Sequence, residues 1–208
     1  MTVITISREL GSAGDRIADL LCDRLGYCRV DKAMIMQIAQ DAGVNVEAVT
    51  AAERDLSRKP RLISTDLTSL YRKDPSAFEK TTGVTERIYA RVLHETMERF
   101  AAQGNAVIVG RGGQIILRDW PDALHVHLYA PLEVRVRRIM ERFGIPEDVA
   151  KQRIDRSDEE KRHYFRVMHQ NANWKALQYY NLAIDTARIS PELATELIAR
   201  AAETPRSA

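Results

Sequence analysis

Two periods of apolar residues alternate along the chain. Val3, Ile4, Thr5 and Ile6 form a β-branched run that predicts a buried strand. Past Gly11 and Gly14 the period lengthens: Ile17, Leu20, Leu21 and Leu25 recur at helical spacing, which predicts a helix beginning near Asp15 and closed by Gly26. Tyr27 to Val30 reads as a short strand. Lys32 to Ala42 reads as a helix through Met34, Ile35, Ile38 and Ala39, ended by Gly43. Residues 44–82 are charged and interrupted by Pro60 and Pro75, the pattern of short helices and loops in an insertion. From Val84 to Ala102, Ile88, Val92, Leu93, Thr96, Met97 and Phe100 share one face of a long amphipathic helix.

The second half repeats the alternation. The run from Asn105 to Leu117 is apolar and broken by Gly110, Gly112 and Gly113, as expected of a buried parallel strand that opens at its carboxyl end. Leu124 to Tyr129 predicts a strand, Leu132 to Phe143 a cationic helix, Asn181 to Asp185 a last strand and Pro191 to Ala202 a last helix. Strand and helix in turn predict an α/β fold, a mainly parallel sheet flanked by helices, with ligands gathered at the carboxyl ends of the strands. The expected organisation is a single domain over 1–203, with the insertion at 44–82, a lid-like helical region at 135–175 and a tail at 204–208.

Composition changes this picture little. The 208 residues are 45% hydrophobic and 29% charged with a formal charge of +2, too small a basic excess to argue for a nucleic-acid partner. Cys22 and Cys28 make no disulfide framework or metal pair. The amino terminus enters strand-like sequence without a leader, and no apolar run approaches the roughly 18 residues that span a membrane. A cytoplasmic protein without a membrane partner is the expectation; the oligomeric state is not legible.

Candidate chemistry lies in the turns. A strand, then Gly11-Ser12-Ala13-Gly14, then a helix is a layout in which backbone N–H groups point at an anion. A strict P-loop reads G-x-x-x-x-G-K-[ST], whereas Gly14 is followed here by Asp15, Arg16 and Ile17. Either Arg16 or Arg8 is then left to stand in for the lysine. Arg111, between Gly110 and Gly112, suits a bidentate phosphate contact or a surface ion pair. Asp31, just before a helix, suits a cap or a substrate hydroxyl. Arginines from Arg135 to Arg166 alternate with acids that can pair with them at helical spacing, so only a subset is expected to reach a ligand. His125 and His127 share a strand face, while His94, His163 and His169 are scattered without a zinc pattern.

Taken together, ITISRELGSAGDRIA, LGYCRVDKAMI, AVIVGRGGQIILRD, LYAPLEVRVRRIMERFGI and YYNLAIDT resemble the cytidylate kinase-like family of P-loop nucleoside monophosphate kinases over nearly the whole chain. The resemblance implies an ATP-dependent phosphotransferase acting on a nucleoside monophosphate or similar small phosphorylated acceptor, with ATP and Mg2+ as cofactors and no metal held by protein ligands. It implies a donor cradle of Gly11, Ser12, Ala13, Gly14, Asp15 and Arg16, and an acceptor site with Asp31 and Arg111 served from the 44–82 side. It implies a closing lid in which Arg153 and Lys161 bind substrate, while Arg156 and Arg162, with Arg16, act on the transferring group. The missing lysine leaves an alternative: a nucleotide-binding regulatory module with weak or no transfer.

Overall fold

The computed structural model describes residues 2–41 and 75–204, and within its third helix the side chains from Tyr89 onward. Most of the expected 44–82 insertion, the end of the second helix with Gly43, and the last four residues of the tail lie outside the described residues.

The described chain runs β1 (Val3–Arg8), α1 (Gly14–Leu25), β2 (Cys28–Val30), α2 (Lys32–Asp41), α3 (Pro75–Gln103), β3 (Ala106–Val109), α4 (Gly113–Ile116), β4 (Ala123–Tyr129), α5 (Leu132–Phe143), α6 (Glu147–Met168), a 3-10 turn (Leu177–Tyr179), β5 (Leu182–Asp185) and α7 (Pro191–Glu203). The five strands form one parallel sheet in the order β2-β3-β1-β4-β5. Its register sets Ile6 beside Val109 on one flank and beside Val126 on the other. β1 is therefore central, and the strand order turns back on itself there, so the chain leaving β1 lies at the crevice where open α/β sheets take their ligands.

Alternation along β1 separates the two cores. Ile4 and Ile6 pack with Ile17 and Leu21 of α1, Leu124, Val126 and Leu128 of β4, and Ile198 of α7. Val3 faces the other layer, with Ile35 of α2, Leu93 and Met97 of α3, and Ile108 of β3. Burying such a side chain contributes about 1.5–3 kcal/mol, so a slip of one residue in β1 would reverse both faces and is strongly disfavoured. A third cluster, Val136, Ile139, Ala150 and Ile154, joins α5 to α6 and takes in Leu10 from the turn after β1.

Two elements differ from expectation. The apolar run after Asn105 is a strand only to Val109; Arg111 (φ 54°) and Gly112 (φ 73°) then turn the chain in left-handed backbone, and α4 follows. Leu117 is buried against the α3 layer, so its hydrophobicity serves packing rather than a longer strand. Pro75, expected to break up the 44–82 insertion ahead of a helix from Val84, instead begins α3, at the position where its missing N–H and fixed φ cost nothing. Among the described residues no helix is long and apolar enough to cross a membrane.

Candidate functional site

The turn from Glu9 to Ala13 hangs from the carboxyl end of β1 and is built to hold its shape. Ser12 donates both its N–H (3.1 Å) and its hydroxyl (2.8 Å) to the Glu9 carbonyl, and it is fully buried. Ala13 takes left-handed backbone (φ 57°), and α1 starts at Gly14. The first N–H groups of a helix have no partner within it and carry the positive end of its dipole. A cavity of about 290 Å³ opens beside them, bordered by Gly11, Gly14 and Asp15, with Arg8, Arg138 and Lys161 around it. Close approach dictates both glycines: a Cβ on Gly11 would come within 2.8 Å of the Arg135 carbonyl oxygen, and one on Gly14 would lie 2.6 Å from Arg8 Cγ.

A buried ionic network braces this turn from behind. Arg135 on α5 donates from Nε to the Leu10 carbonyl (2.7 Å) and from both terminal nitrogens to Asp158 of α6 (3.1 and 3.0 Å). Glu9 Oε2 lies 3.4 Å from Arg135, and Glu9 Oε1 accepts from Lys175 Nζ at 2.6 Å. With Glu9 and Arg135 both buried, the charges are affordable only because each has an opposite partner and further hydrogen bonds. Arg138, one turn along α5, donates to the Gly11 carbonyl (3.3 Å) and to the Thr186 carbonyl (2.6 Å).

Asp15 borders the cavity with its charge already answered: Arg8 approaches it at 3.3 Å and Arg29 at 3.5 Å. A carboxylate that would repel phosphate in isolation is thereby screened by two guanidinium groups. Lys161, half-buried on α6, donates to the Arg8 carbonyl at 2.6 Å and lies 5.0 Å above the Trp174 ring. Burial, with Arg8 nearby, pushes its pKa down to about 8.

The structure separates the other candidates. Gly11, Ala13, Gly14, Asp15 and Arg16 line the cavity, and Ser12 lies beneath them with its hydroxyl turned inward. Arg16 pairs at the surface with Glu192 of α7 (2.6 Å). Asp31 accepts from the amides of Ala33 (3.0 Å) and Met34 (3.2 Å), capping α2, while its second oxygen lies 3.4 Å from Arg29. Arg111 stands in the turn after β3, its guanidinium 4.9 Å over the Tyr164 ring of α6. On α6, Arg153 stacks on Phe143 at 3.8 Å, Arg156 is exposed, and Arg162 pairs with Glu159. Arg162 also borders a second cavity of about 510 Å³ that includes Trp174 and Lys175.

Glu9 and Lys175 carry weight that sequence reasoning missed. A carboxylate within an anion loop was the available signal, since it demands a cation partner, but nothing in the chain order pointed 166 residues ahead to Lys175. Aromatic packing below the site was equally hidden. His127 stacks on Tyr180 at 4.9 Å and meets Trp174 edge-on at 5.7 Å, while its Nδ1 has no hydrogen-bond partner among the described residues. Burial pushes the pKa of His127 down to about 4 and, at the end of α6, that of His169 to about 4.

Comparison with known proteins agrees with this architecture. A crystal structure of an uncharacterized protein from Eubacterium ventriosum covers 98% of this chain and 99% of its own at 18% identity, with a TM-score of 0.69. The YorR protein of Bacillus subtilis, solved in complex with phosphorylated GDP, covers 97% and 96% at 13% identity and a TM-score of 0.51. Likeness at these identities speaks to the fold. In sequence, the cytidylate kinase of Ignicoccus hospitalis is 28% identical over 201 residues, 96% of this chain and 98% of that protein. That of Methanocaldococcus jannaschii is 40% identical over 92 residues, 42% of this chain and 50% of its own length. Residues 3–188 match the cytidylate kinase-like family as a whole, from β1 to just beyond β5, and the chain belongs to that family.

Proposed function

We propose that the protein is an ATP-dependent phosphotransferase acting on a nucleoside monophosphate or a similar small phosphorylated acceptor. The observation that carries this reading is the cavity at the amino terminus of α1, where helix N–H groups face cationic side chains from three separate elements. Transfer of a phosphoryl group needs alignment and charge stabilisation more than covalent help. ATP supplies the phosphoryl group, and magnesium held by its phosphates supplies a neutralising charge.

The chain's own groups would divide the task. Amides from Gly11 to Arg16 hold donor phosphates, Arg8 neutralises Asp15 beside them, and Arg138 fixes the loop carbonyl at Gly11. Arg111, at the end of the neighbouring strand β3, faces the acceptor; Asp31 stands at the end of β2, with its capping bonds leaving lone pairs for a substrate hydroxyl. Closure of α6 over the cavity would bring Arg153, Arg156 and Arg162 toward the transferring group and exclude water.

Purified protein with magnesium-ATP and a panel of nucleoside monophosphates should release ADP only when an acceptor is present. Arg111→Ala should raise the acceptor KM at least tenfold with little change in ATP affinity. Absence of turnover across the panel with ATP still bound would favour a nucleotide-responsive regulatory module, the reading suggested by Asp15 where a P-loop carries lysine. Absence of both binding and turnover would overturn the proposal.

A further inference from the structure

We infer that Lys161, reaching across from α6, supplies the ammonium group that the loop itself lacks and binds the terminal phosphates of the donor nucleotide. This rests on the proposed ATP-dependent function and assigns within it a role that the loop sequence leaves vacant.

Four observations converge on Lys161. It borders the same cavity as Gly11, Gly14 and Asp15. Its Nζ donates to the Arg8 carbonyl, while an ammonium has three donors, and no carboxylate lies within ion-pair distance among the described residues. Of the other cations of that wall, Arg8 pairs with Asp15, Arg16 pairs with Glu192, Arg138 donates to the Gly11 and Thr186 oxygens, and Arg142 is exposed against the Phe143 ring. Finally, the paired bonds from Arg135 to Asp158 tie the helix to the brace of the loop one turn before Lys161, so the ammonium stays beside the loop while the outer cations of α6 close.

Charge favours the same role. Facing Lys161 are Arg8 from β1, Glu9 from the loop, Asp15 and Arg16 from α1, Arg135, Arg138 and Arg142 from α5, Asp158 on its own helix, and Lys175 across the Trp174 ring. Both carboxylates at its back, Glu9 and Asp158, are taken by Arg135 and Lys175. A half-buried cation without an anion of its own is costly, and a phosphate entering the cavity offsets that cost. The depressed proton affinity of Lys161, with a pKa of about 8, then gives a signature. At pH 8.5 most of the unliganded protein holds Lys161 neutral, and phosphate beside it restores the proton.

Calorimetry of ATP, ADP and AMP binding to the wild-type chain, Lys161→Met and Lys161→Arg tests this. ATP and ADP should bind the wild type at least tenfold more tightly than AMP. Lys161→Met should lose tenfold or more for ATP and ADP and less than threefold for AMP. At pH 8.5, binding heats in buffers of different ionisation enthalpy should show proton uptake with ATP in the wild type and none in either variant. Lys161→Arg keeps the charge without titrating, so it decides the matter even if Lys161→Met does not fold. Retention of ATP affinity within threefold in a folded Lys161→Met chain would overturn the inference alone, as would unchanged uptake in Lys161→Arg. A wild-type chain that binds no ATP would overturn the proposed function and the inference with it.

Discussion

Arg135 and Arg162 each bind a carboxylate of α6, and the two pairs mark opposite limits of what an ion pair contributes. Arg135 has a side chain 5% exposed and links α5, the loop and α6 through four polar contacts to Leu10, Asp158 and Glu9. Arg162 is 60% exposed and meets Glu159 on its own helix, where water and salt screen both charges. One helix thus presents an inner face that sets the geometry of the turn after β1 and an outer face whose cations can exchange partners. A residue type says little here until its side of the helix is known.

Removing the inner pair should have the largest effect. Arg135→Ala leaves Glu9 and Asp158 with Lys175 as their cation, and should cost about 3–5 kcal/mol in urea unfolding, the usual consequence of stranding a buried charge. A loss below about 1 kcal/mol would erase the distinction between the two faces.

Acid should also act on the buried side. His127 and His169 have folded pKa values pushed down to about 4 by burial, against about 6.5 in the unfolded chain. The unfolded state therefore binds protons first as pH falls, so stability is full above about 6.5 and declines toward about 4, by on the order of 3 kcal/mol for each histidine. Unfolding measured across that range should show the slope, and His127→Phe with His169→Phe should flatten it whatever their stability at neutral pH. An unchanged slope would mean that neither ring is held neutral.

On the outer face, Arg162→Ala should shift stability by only about 0–1 kcal/mol, and any larger loss of turnover would have to come from lid closure. The smallest change is expected at Ala13, whose left-handed backbone (φ 57°) disfavours a Cβ. Ala13→Gly should raise the unfolding free energy by a few tenths to about 1 kcal/mol, relief of that strain slightly exceeding the added entropy of the unfolded chain.

Local pattern made most of the architecture legible. The β-branched run of β1, the helical spacing of Ile17 and Leu21, and the spans of α5 and α7 are properties of neighbouring residues, and they fall where periodicity puts them, α7 running one residue further to Glu203. The turn after Val109 was not, because the same apolar residues suit a strand or a packed helical turn, and only the positive φ values of Gly110, Arg111 and Gly112 distinguish them. At the site, the glycines were legible because close backbone approach needs them. Arg16 and Arg8 were the two substitutes that sequence left for the lysine, yet Arg16 pairs with Glu192 on the helix packed beside α1 and Arg8 with Asp15. Lys161 appeared as one of several lid cations, and nothing in its surroundings along the chain sets it apart. Its neighbour Arg8 is 153 residues away, a proximity made by the fold.

The parallel register of β1 and β3 has a consequence for how specificity can change. Glu9 and Gly110 leave adjacent strands about 4.8 Å apart, and with Ile6 opposite Val109 the chain of β1 runs on to Arg8 before its turn begins, whereas β3 turns at once. In the proposed reaction that fixed offset would act as a ruler between donor and acceptor. A descendant of this chain could adopt a bulkier or differently shaped acceptor by rebuilding whatever covers Arg111, but stretching the ruler would mean unzipping the middle of the sheet.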